Sequence, residues 1–129
     1  MVVDDPTVVA EVRAAFARYE TALVGNDVAT LGALFRQDAR TLRYGIAENL
    51  YGHAEIQAFR SARSPVGLER ELARTVITSY GRDFAVASTL FRRPSLTGKV
   101  GRQMQTWVRF DDGWFIVAAH VSIIADAAV

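Results

Sequence analysis

Fourteen of the fifteen basic residues are arginine, Lys99 being the lone lysine, against fourteen Asp and Glu. A guanidinium offers a planar fork of donors that matches a carboxylate or phosphate two-for-two. The charge is also uneven. Residues 1–39 hold three Arg against six acids, residues 40–109 hold eleven Arg and one Lys against five acids, and residues 110–129 hold three acids and no base. Either the basic middle is solvated surface, or part of it recognises small acids. Arg43 sharpens the choice, because it lies in the strand-like run Thr41-Leu42-Arg43-Tyr44. Facing out, it is an ordinary strand residue. Facing in, an unpaired guanidinium is costly, and no acid in that strand offers to pair with it, so an anionic ligand would be its partner.

Tyr19 lies on an apolar stripe with Val9, Val12, Phe16 and Leu23. It is either a core tyrosine bonded to a backbone carbonyl or a phenol projecting into a cavity as proton donor or polar anchor. His53 follows Gly52 and opens a helix, where it either meets an anion near the free N–H groups or is an exposed cap residue. Arg60 and Arg63, one turn apart, rim a cavity or face water. Along the strand 102–110, Gln103, Gln105, Trp107 and Arg109 share one face, making either a polar cavity wall or a dimer interface. His120 shares a face with Trp114, Ile116, Ala118 and Ser122, as a half-buried histidine or as a cavity acid or base.

Other chemistries lack their residues. With no Cys there is no disulfide, thiol nucleophile or cysteine-held metal, and two His do not make a three-histidine site. No Walker loop, G-x-G-x-x-G, H-E-x-x-H or G-x-S-x-G occurs. No cofactor or metal is expected. The basic middle lacks the interleaved aromatics of a single-strand binder, so no nucleic-acid partner is expected. No apolar run reaches the roughly 18–20 residues of a membrane helix, and the start, Met1-Val2-Val3-Asp4-Asp5, is acidic where a signal peptide is basic. A cytoplasmic protein without membrane contact is the expectation.

The elements that must position these residues follow from periodicity. At 129 residues and 50% hydrophobic, the chain reads as one domain, 1–129. Asp4 or Asp5 caps a helix with Pro6 in its first turn, ending at Gly25. Asn26-Asp27 caps a second, Val28 to Phe35, a strand follows at Arg40–Tyr44, and a third helix spans Ala54 to about Arg63. Beyond Leu72 the period becomes alternating, with strands at 74–80, 85–92, 102–110 and 114–122. Helices followed by an antiparallel meander make an α+β fold in which a bent sheet wraps a helix and leaves a conical cavity.

This order resembles the NTF2-like or SnoaL-like cone family: three N-terminal helices packed on a strongly bent antiparallel or mixed sheet enclosing a cavity. The stretch Trp114-Phe115-Ile116-Val117-Ala118-Ala119-His120-Val121-Ser122 is similar to the W-x-I-x-x-x-H-x-S ending frequent there. Arg13 to Tyr19, Thr41 to Gly45, Tyr51 to Ile56, Phe59 to Arg63 and Gly101 to Trp107 are similar to the small oxalurate-catabolism proteins and their cyanuric-acid-pathway relatives, the 1,3-dicarboxyurea decarboxylating amidohydrolases. That resemblance implies catalysis by a tyrosine on the first helix and an arginine on the first strand, positions matched by Tyr19 and Arg43. The implied activity is cofactor-independent, decarboxylating hydrolysis of a small carboxylated ureido compound; His53, Arg60, Gln105, Trp107 and His120, read from their own positions, are the substrate-binding candidates. A homodimer or higher homo-oligomer and a functional link to an amidase are also expected. Two rival readings are a non-catalytic acid-binding accessory of such an amidase and a structural dimerisation module.

Overall fold

A computed structural model describes residues 1–128; Val129, the last residue of the expected domain, lies outside the described residues. Two helices come first, α1 (Pro6–Val24) and α2 (Val28–Leu34), and a third, α3 (His53–Ala62), follows the two short strands. Six strands follow the order β1 (Leu42–Tyr44), β2 (Asn49–Tyr51), β3 (Glu71–Tyr80), β4 (Phe84–Arg92), β5 (Lys99–Phe110) and β6 (Gly113–Ala125).

Local signals set the helices. The Asp5 carboxylate accepts from the Thr7 and Val8 amides at 2.9 and 3.3 Å, and Asp27 accepts from the Thr30 amide at 3.1 Å. Each such cap stabilises its helix by about 1 kcal/mol. The three- and four-residue spacing of Val8, Val12, Phe16, Tyr19 and Leu23 puts all five on the buried side of α1, with Val8 in the place expected of Val9, which is only partly buried. That stripe packs on Leu31, Leu34 and Phe35 and, across the sheet, on Trp107 and Ile116. A fully buried Phe16 or Leu31 contributes about 1.5–3 kcal/mol.

The strands form one sheet in the order β2-β1-β6-β5-β4-β3. All neighbours are antiparallel except β1 and β6, which run parallel. Here the structure adds to the sequence reading: β2 was not anticipated, since three residues are too few for alternation to register, and β1 begins at Leu42 instead of Arg40. At the free edge, β3 is covered by the chain's start, where the Asp4 amide donates to the Ser79 carbonyl at 3.0 Å and the Ser79 amide to the Asp4 carboxylate at 3.0 Å.

Two irregularities curve the sheet around α1. One falls in β3 between Ala73 and Val76, where Arg74 takes φ 52°. The other lies between β5 and β6: Thr106 faces Ala118 but Trp107 faces Ile116, leaving Val117 as the extra residue of a bulge. One inserted residue reverses the alternation beyond it. Ile116 therefore points inward, and so do Ala119 and Val121, while His120 is turned to the exposed outer face.

Candidate functional site

A cavity of about 150 Å³ lies between α1, α3 and the concave face of the sheet. It is smaller than the roughly 300–1,000 Å³ of drug-sized pockets, which suits a small ligand. From α1 come Tyr19 and Leu23, from β1 Arg43, from the β1–β2 turn Ile46 and Glu48, and from the end of α3 Phe59 and Arg63. The far wall is built by Arg70, Phe91, Arg93 and Gln103.

Tyr19 is 2% exposed, and its hydroxyl accepts from Arg60 Nη2 at 3.0 Å. Because the phenol oxygen already accepts, its own proton is free to point elsewhere. Burial pushes the phenol pKa up, but the guanidiniums of Arg60, Arg43 and Arg70 outweigh it and bring it down from 10.0 to about 8. Arg60 is 1% exposed and stands behind Tyr19, its guanidinium 5.8 Å from the centres of the Tyr19 and Phe35 rings.

Arg43 faces inward and is 7% exposed. The expectation that it has no acid partner is corrected: Arg43 Nη1 donates to Glu48 Oε1 at 2.9 Å. Glu48 lies across the tight turn that joins β1 to β2, not in the strand, and so escaped a strand-by-strand reading. An added Cβ at Gly45 would overlap the Glu48 carboxylate, so the glycine makes this fold-back possible. Arg43 Nε remains buried without a partner. Burial, then the neighbouring Arg60 charge, pulls the Arg43 pKa below its usual value.

A second acid joins from α1. Arg70 meets Glu20 through two guanidinium nitrogens at 2.6 and 2.9 Å and donates to Gln103 Oε1 at 3.0 Å. Phe91 meets two guanidiniums, with Arg70 4.6 Å and Arg93 5.1 Å from its ring centre. Gly101 is directly opposite Phe91, and any Cβ there would overlap the ring. The site thus gathers the guanidiniums of Arg43, Arg60, Arg63, Arg70 and Arg93 around Tyr19, against the carboxylates of Glu20 and Glu48. Buried donors of Arg60, Arg63 and Arg93 have no partner among the described residues. Such donors are expensive to leave unmet, and a small polyanion in the cavity would satisfy those of Arg63 and Arg93, which line it.

The other expected ligand contacts are corrected. His53 Nε2 donates to the Gly32 carbonyl at 2.7 Å, tying α3 to α2 away from the cavity. His120 is displaced outward by the bulge at Val117 and meets the Tyr44 ring edge-on at 6.0 Å. Gln105 and Trp107 do share the inner face with Gln103, but they lie deeper, where Trp107 Nε1 donates to Gln105 Oε1 at 3.1 Å. Only Gln103 of that row reaches the cavity. Of the two α3 arginines, Arg63 lines it while Arg60 reaches Tyr19 from behind.

The AtzH-like family model matches residues 1–127. The chain belongs to the AtzH-like family. No curated protein matches it. Among solved structures, this AtzH-like chain is 60% identical to a protein of unknown function of the DUF3225 family from Pectobacterium atrosepticum, with a TM-score of 0.93 and 95% of each chain covered. It is 52% identical to a cystatin-like fold protein from Burkholderia xenovorans, at TM-score 0.93 over 97% of this chain and 98% of that one. An NTF2-like superfamily protein from Salmonella enterica is 25% identical, at TM-score 0.76 over 96% of each chain. These matches bear out the NTF2-like cone fold. Among the described residues, no helix is long and apolar enough to cross a membrane.

Proposed function

We propose that this AtzH-like protein removes one carboxyl group from a small carboxylated ureido compound, converting 1,3-dicarboxyurea to allophanate. The observation that carries this reading is the Tyr19 phenol, free to donate its proton, in a small cavity whose guanidiniums outnumber its carboxylates. In the proposed step Arg43 binds the reacting carboxylate. The N–carboxyl bond breaks, its electron pair stays on nitrogen, and carbon dioxide leaves. Nitrogen takes the Tyr19 proton, and the resulting phenolate is held by the charges of Arg60, Arg43 and Arg70 until water reprotonates it. Hydration of the released carbon dioxide completes a net hydrolysis.

A phenol with a pKa of about 8 suits this role, being protonated at neutral pH yet a stronger acid than a free tyrosine. The surrounding charge is preorganised, so it stabilises the phenolate without reorganising during the step. The test is direct: purified protein is supplied with 1,3-dicarboxyurea while allophanate and carbon dioxide are followed. Acceleration over spontaneous breakdown is expected, and its absence overturns the reading.

The Arg43–Glu48 ion pair favours a second reading, in which the pocket binds an acid without turnover beside an amidase. Anion binding without catalysis, together with co-purification of an amidase, would select it.

A further inference from the structure

Two cavity guanidiniums differ from the rest in what they are bonded to. Arg70 is committed to Glu20 and Gln103, and Arg43 to Glu48. Arg63 and Arg93 line the same cavity with no carboxylate within ion-pair distance among the described residues. Arg63 Nε and Nη2, Arg93 Nε and the neighbouring Gln103 Nε2 are all buried without a partner.

Arg93 is set apart from Arg43 by its place in the sheet. Arg43 stands on β1 and Arg93 just beyond β4, with β6 and β5 between. Three strand spacings amount to about 14 Å along a flat sheet, and curvature turns both long side chains toward one space. The Phe91 ring holds the Arg93 guanidinium in place by its face. Arg63 comes from the C-cap of α3. We infer that Arg63 and Arg93, with Gln103, form an anchoring pole that holds a second carboxylate, so that the cavity selects short dianions over monocarboxylates. Which carboxylate reacts rests on the proposed function; the existence of the second pole does not. Burial, followed by the like charge of Arg60, brings Arg63 down to about 10, as expected of a cation short of counter-charge.

The test is calorimetric titration of the full chain with glutarate, whose five-atom carbon chain matches the chain length of 1,3-dicarboxyurea, and with butyrate, which lacks the second carboxylate. A charge-assisted pair contributes roughly ten- to a hundredfold in affinity, so glutarate should bind at least about tenfold tighter than butyrate. In Arg63→Gln and Arg93→Gln the preference for glutarate over butyrate should collapse. Arg63→Lys and Arg93→Lys, which keep the charge and lose the fork, should recover part of it and show that the fold is intact. Equal affinities in the parent protein, binding of neither probe, or a preference that survives both glutamine variants would overturn the inference. Turnover of 1,3-dicarboxyurea without a dianion preference leaves the proposed function standing and removes the pole; the preference without turnover does the reverse.

Discussion

Arg60 Nη2 donates to the Tyr19 hydroxyl at 3.0 Å, joining the last turn of α3 to the middle of α1 across a buried space. Neither residue is exposed by more than 2%. The bond fixes the phenol oxygen as an acceptor and makes the phenol more acidic, which together equip it to release its proton.

Tyr19→Phe should abolish most turnover while the protein stays folded. The loss expected of a missing general acid is about 10²–10⁴-fold. Stability should fall by about 1–3 kcal/mol, because a buried Arg60 donor loses its acceptor. Arg43→Lys, which keeps the charge and removes the fork, should cost roughly 10²-fold or more. Steady-state rates and circular dichroism check both, and near-normal rates in the two variants would sink the assignment.

Turnover should be level from mildly acidic to neutral pH and decline as pH passes about 8, where Tyr19 ionises. His53→Gln and His120→Gln should leave this profile in place, since neither histidine reaches the cavity. A break near pH 6–7 that disappears in either variant would move the chemistry to an imidazole.

The same ionisation ties stability to pH. Folding lowers the Tyr19 pKa from 10.0 to about 8, so the phenolate is favoured in the folded state. Its stabilisation is complete above the unfolded value and is lost as pH falls through about 8. Between those limits the parent protein should gain stability relative to Tyr19→Phe, by up to about 2–3 kcal/mol. Denaturant titrations across that range provide the check, and a tyrosinate absorbance component centred near 8 should vanish in Tyr19→Phe.

Glu20→Gln should be among the costly substitutions. The Arg70 side chain is 2% exposed, and Glu20 supplies its carboxylate. Removing one member of a buried pair strands the other charge, at about 3–5 kcal/mol. A thermal midpoint close to that of the parent protein would show that Gln103 and Phe91 alone suffice for Arg70.

Gly101→Ala should act at a distance on the far wall. The new methyl collides with the Phe91 ring, which carries the Arg70 and Arg93 guanidiniums on its faces. Overpacking of this kind costs about 1–3 kcal/mol. Glutarate affinity should drop with it; unchanged affinity in a folded variant would separate Phe91 from the placement of Arg93.

Much of the fold was legible in local pattern. Asp5, Asp27 and Gly25 mark helix ends through their own hydrogen bonds and backbone angles, and the spacing from Val12 to Leu23 carries the buried stripe that places Tyr19 on the inner side. The change to alternation after Leu72 gives the four long strands, and the uninterrupted alternation of β5 correctly groups Gln103, Gln105 and Trp107 on one face. Those signals depend on neighbours a few residues apart, which sequence contains. What the sequence by itself did not determine depends on pairs far apart in the chain. One extra residue at Val117 reverses the faces of β6 and sends His120 outward, and only the register with β5 reveals it. Glu20 with Arg70 and Tyr19 with Arg60 are 50 and 41 residues apart, so the charge balance of the cavity had no local signature. Depth decided the rest: Gln103 and Trp107 share a face, but the curvature of the sheet leaves one at the cavity and drives the other into the core.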